Sequence, residues 1–95
     1  MPPLLRETGS ILVRAPRDRV FAALMASMQG ELGLRAEEAR RLDTPLSTFV
    51  LRDAPGGTQV IHARAAPAAL AGPRPREELR ATLELELFQL QKKFD

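Results

Sequence analysis

Apolar positions along this chain gather into short runs set apart by proline and glycine, and the spacing within each run predicts its element. Ile11-Leu12-Val13, between Gly9 and Pro16, predicts a short strand. Pro16 at a first helical position, followed by Asp18, predicts a helix start. Val20, Phe21, Leu24, Met25 and Met28 then recur at i, i+1, i+4, i+5 and i+8. That is one stripe of an amphipathic helix, and Gly30 stands where a left-handed cap would close it.

The stretch from Glu31 to Asp43 resists this treatment. Leu34 to Arg41 (LRAEEARR) has helix-favouring composition without an apolar stripe, and its neighbours argue for an edge strand; the pattern leaves strand or helix open at 34–41. After Thr44-Pro45, the runs Leu46–Arg52 (LSTFVLR) and Thr58–Ala65 (TQVIHARA) are rich in strand-forming residues. Asp53-Ala54-Pro55-Gly56-Gly57 between them carries hairpin-turn chemistry.

Residues 67–75 (PAALAGPRP, from Pro67 to Pro75) read as a connector within one domain spanning 1–95, and residues 1–8 as a loose N-terminal segment. Leu83-Glu84-Leu85-Glu86-Leu87 alternates as a strand would, yet the segment from Pro75 is about twenty residues long and holds one β-branched residue. It opens with Glu77-Glu78 and closes with Lys92-Lys93, as a helix dipole prefers. Leu79, Leu83, Leu87, Leu90 and Phe94 form its main stripe, while Ala81, Leu85 and Phe88 fall together on the opposite side. A second stripe predicts a second cover, and Ala81, Leu85 and Phe88 are therefore interface candidates. The fold expected is α+β: an antiparallel sheet of about four strands, in the order β-α-β-β-β-α, packed against a long C-terminal helix.

Composition narrows the chemistry. The chain has 95 residues, no Cys, one His and no Tyr or Trp. Thiol chemistry and cysteine-based zinc sites are excluded, and the acidic residues lack EF-hand spacing, so no metal or cofactor is expected. No apolar run approaches the roughly 18 residues of a membrane span, and no leader pattern opens the chain, which gives a cytoplasmic expectation. Fourteen basic residues oppose twelve acidic ones; only Lys92 and Lys93 are lysine, the rest arginine. Such arginine richness fits GC-rich coding, and nucleic-acid binding would rest on arginine count alone.

The segment Ser10-Ile11-Leu12-Val13-Arg14-Ala15-Pro16-Arg17-Asp18-Arg19-Val20-Phe21 resembles the opening strand, Ala-Pro turn and first-helix Val-Phe of the START-like helix-grip superfamily, also called SRPBCC. Birch-pollen allergens and bacterial polyketide cyclases are of this type. Arg40-Arg41-Leu42, Gly56-Gly57-Thr58-Gln59-Val60 and the terminal amphipathic helix are similar too. Family members run about half as long again, with six or seven strands enclosing an apolar cavity, whereas this chain has room for about four strands. The resemblance thus implies a shortened helix-grip fold completed by a second copy, a homodimer, and it transfers no catalytic residue.

Three functions follow as expectations. The first is non-catalytic: an apolar small molecule or a second chain held in a sheet–helix groove lined by Phe49, Ile61, Leu83, Leu87 and Leu90, with Arg52 and Arg64 flanking the hairpin. The second is a cyclase- or hydratase-like enzyme using His62 with Arg52 or Arg64, weighed against a half-exposed strand histidine without a role. The third is a nucleic-acid or anionic-surface binder using Arg14, Arg17, Arg19, Arg74, Arg76 and Arg80.

Overall fold

A computed structural model describes residues 4–67 and 73–94. Strand β1 (Leu4–Val13) leads into helix α1 (Arg17–Met28). Short strands β2 (Arg35–Glu37) and β3 (Arg41–Asp43) follow, then long strands β4 (Ser47–Ala54) and β5 (Gly57–Pro67) and helix α2 (Pro75–Lys92). The class is α+β as expected, with five strands instead of about four. They form one antiparallel sheet in the order β1-β5-β4-β3-β2.

The additional strand comes from the ambiguous stretch, which folds as a charged mini-hairpin. Arg35 stands directly opposite Asp43 and Glu37 opposite Arg41, so opposite charges face each other across both outer pairs. Arg41 Nε donates to Asp43 Oδ2 at 2.7 Å. The hydrogen bond from Arg41 holds the Asp43 carboxyl below its usual range against the opposing effect of burial. Charge register, with Leu42 alone buried, builds this edge. Its turn places Ala39 at φ 55°, a left-handed conformation that L-residues other than Gly, Asn and Asp adopt at a cost.

Leu4 to Thr8, expected to be loose, are strand. They pair residue by residue with Ala63 to Pro67, and Leu5, Glu7 and Gly9 alternate inward. The expected connector lies mostly outside the described residues. Between β4 and β5 the loop shrinks to Pro55-Gly56, with Gly56 at φ 86°, because Ala54 already pairs with Gly57. Proline first and a positive-φ glycine second is the chemistry of a type II turn.

Both helices lie on one face of the sheet. Val13, Leu42, Phe49, Leu51 and Val60 meet Val20, Leu24 and Met28 of α1 and Leu83, Leu87 and Leu90 of α2 in one core. α2 rides chiefly on β1, where a Cβ at Gly9 would come within 2.7 Å of Leu83. The buried Thr58 hydroxyl donates to the Ala15 carbonyl at 2.8 Å and ties the hairpin to the β1–α1 turn. Among the described residues no helix covers the opposite face of the sheet. No helix among the described residues is long and apolar enough to cross a membrane.

Candidate functional site

The pairing of β4 with β5 sets which side chains share the helix-covered face. Phe49 stands opposite His62, Ser47 opposite Arg64 and Leu51 opposite Val60. Residues directly opposite in an antiparallel pair project to the same side, so Phe49, His62, Ser47 and Arg64 lie together beneath the helices. Ile61 pairs with Val50, and Arg52 with Gln59, on the open face. Two expectations are thereby corrected: Ile61 lines no sheet–helix groove, and Arg52 cannot act with His62. Counted by single residues along a strand, each side chain alternates sides, and both of these fall one residue out of step.

His62 is fully buried, not half-exposed. Its Nδ1 lies 3.1 Å from the Thr48 carbonyl, which can only accept, so Nδ1 is the donor. Its Nε2 faces Glu86 Oε1 at 3.4 Å, and the same oxygen accepts from Arg64 Nη1 at 2.8 Å. The Phe49 and His62 rings stack face to face, with centroids 3.9 Å apart and planes 3° from parallel. Burial by itself would raise the Glu86 carboxyl. The hydrogen bond from His62 and the charge of Arg64 outweigh it and hold Glu86 below the usual carboxylate range.

This cluster floors a cleft of about 410 Å³ between the C-terminal half of α1, the β4–β5 pair and the C-terminal half of α2. Leu24, Met28, Phe49 and Leu90 give its apolar walls; Ser27, Glu31, Ser47, Arg64, Glu86, Gln89 and Lys93 supply polar groups. No buried side-chain nitrogen or oxygen among the described residues lacks a hydrogen-bond partner, so the floor is set without a ligand.

Of the expected groove residues, Phe49, Leu90 and Arg64 line the cleft, and His62 lies directly beneath it. Leu83 and Leu87 are buried deeper, over Gly9 of β1, and do not reach it. Ala81, Leu85 and Phe88 sit exposed on the outer side of α2. Arg52 lines a shallow depression with Arg17, Arg40 and Arg41. The arginines of the polyanion expectation are scattered and largely engaged. Arg17 pairs with Asp53, Arg74 with Glu77, and Arg80 with Glu84, while the Arg19 guanidinium lies 5.9 Å from the Phe94 ring.

Sequence reasoning passed over Glu86, Ser27, Gln89 and Lys93. A signal for them existed: at 100° per residue, Glu86 and Lys93 flank the Leu83-Leu90 stripe on a single side. No protein-family model and no curated protein matches the chain.

Proposed function

We propose that the chain binds one small, mainly apolar molecule in the cleft between α1, α2 and the β4–β5 pair, without reacting on it. The carrying observation is the cleft itself: about 410 Å³, in which Leu24, Met28, Phe49 and Leu90 form an apolar side opposite a polar rim, over a floor whose hydrogen bonds are already made. Ligand pockets commonly occupy roughly 300–1,000 Å³. A sheet with a long C-terminal helix laid on it also supports the helix-grip reading. The ligand's apolar body lies against Leu24, Met28, Phe49 and Leu90. A polar or anionic end points to the side chains of Gln89 and Lys93, which make no hydrogen bond or ion pair with another side chain among the described residues.

The enzyme reading is weaker because His62 has no exposed atom to offer a substrate and both ring nitrogens are engaged. Catalysis by proton transfer needs the base within hydrogen-bond reach of the reacting group.

The test is a fluorescence titration with 8-anilinonaphthalene sulfonate, an aromatic body with one anionic group. Saturable one-to-one binding is expected, weakened at least tenfold by Ser27→Trp, which fills the cleft from an exposed position of α1. Absence of saturable binding overturns the proposal. So does binding that survives Ser27→Trp unchanged but disappears with Leu85→Glu.

A further inference from the structure

α2 buries Leu79, Leu83, Leu87 and Leu90 and turns its other side outward. There Leu85 is 55% and Phe88 54% exposed. At 100° per residue, Glu77, Glu78, Ala81, Leu85, Phe88 and Lys92 share roughly one third of the circumference. Their order along the helix runs from two acids through a small residue, Leu85 and a large ring to a cation.

We propose that this stripe pairs with the same stripe of a second copy of the chain, the two α2 helices antiparallel about a twofold axis beside Leu85. Reversal makes the stripe complementary to itself, as a twofold interface demands. With the axis between Glu84 and Leu85, Phe88 of each copy meets Ala81 of the other, a large side chain over a small one. Lys92 then meets Glu77, and the two helix dipoles oppose. A parallel arrangement would set Phe88 against Phe88 and Lys92 against Lys92. Within one chain the Lys92 ammonium lies 5.6 Å from the Phe88 ring, and Glu77 holds only an exposed 3.4 Å bridge to Arg74. Exposed pairs of that kind are worth little and are readily exchanged.

Both sheet edges are partly blocked. On the outer side of β1, the carbonyls of Thr8 and Leu12 accept hydrogen bonds from Arg80 and Gln91 of α2 at 3.1 Å each. At the other edge, β2 is three exposed residues carrying Arg35 and Glu37. Capped carbonyls, short strands and charges are how edges avoid pairing. One helix pair falls at the small end of specific interfaces, below about 1,200 Å² in total, so association should be reversible and concentration-dependent.

The absence of cysteine makes the test direct. Leu85→Cys places two thiols next to the axis, within disulfide reach. Lys92→Cys places them about 22 Å apart along the helices at 1.5 Å per residue. Under mild oxidation Leu85→Cys should form a covalent dimer at least tenfold faster than Lys92→Cys. Equal rates, or a faster Lys92→Cys, overturn the antiparallel pairing. Sedimentation of the unaltered chain should show mass rising with concentration, and Leu85→Glu with Phe88→Glu should abolish the rise while leaving the circular dichroism unchanged. A monomer at every concentration, or a dimer indifferent to both changes, overturns the proposal.

Discussion

Glu86 is the single acceptor shared by the buried His62 ring and Arg64, so its removal reads out the cluster most clearly. In Glu86→Ala, Nε2 of His62 loses its partner while the ring stays buried. An unsatisfied buried polar atom costs about 1–3 kcal/mol. Glu86 is 34% exposed, so water can enter the space left behind and reduce that cost. Arg64 is about as exposed, and losing its partner adds at most about 1 kcal/mol. The sum is about 2 kcal/mol, a fall in melting temperature of roughly 8–16 °C for a domain of this size. Glu86→Gln should cost less, about 1 kcal/mol, because its amide both donates and accepts and can still pair with Nε2 and with Arg64. The sign with pH follows from the lowered Glu86 carboxyl. Its contribution is complete above the unfolded value of roughly 4.3 and fades as pH falls through the lower folded value. Acid sensitivity should therefore be shallower in Glu86→Gln. With no Trp or Tyr, denaturation is best followed by circular dichroism between pH 3 and pH 7. An alanine variant within about 0.5 kcal/mol of the parent, or a glutamine variant equally destabilised, would refute the reasoning.

Other substitutions probe the frame around the site. Gly57→Ala should destabilise by more than about 3 kcal/mol in urea denaturation, since the new Cβ would overlap the Val13 carbonyl at a backbone φ of 156°. Ala39→Gly should stabilise by about 1 kcal/mol, measured the same way, by relieving the left-handed residue in the β2–β3 turn. Leu83→Ala should cost about 2–5 kcal/mol by opening a cavity under α2, whereas Leu85→Ala on the opposite stripe should change monomer stability by less than about 0.5 kcal/mol.

How far the sequence reached depended on what holds each element. α1, α2 and the β4–β5 hairpin declare themselves through apolar spacing and turn residues, which act locally. The β2–β3 hairpin does not: its register rests on Arg35 facing Asp43 and Glu37 facing Arg41, a pattern invisible to a search for apolar periods. The first part of β1 was obscured because one of its inward positions is Glu7, whose carboxylate lies 3.9 Å from Arg80 of α2, and another is Gly9. Within the candidate site, the placement of Ile61 and Arg52 failed on register rather than on strand assignment. A two-residue Pro55-Gly56 loop sets Ala54 opposite Gly57, and counting back sets Phe49 opposite His62 and Ile61 opposite Val50. Glu86 escaped notice because its role needs three elements, β4, β5 and α2, to converge.

Whether the cleft holds a ligand is the central claim, and backbone amide chemical shifts test it most directly. On titration with 8-anilinonaphthalene sulfonate, the account predicts saturable changes concentrated at Leu24, Ser27, Met28, Phe49, Arg64, Gln89 and Leu90, with one common dissociation constant. Unsaturated changes, or changes centred on Leu85 and Phe88 or on Val50 and Ile61 of the open sheet face, would contradict it.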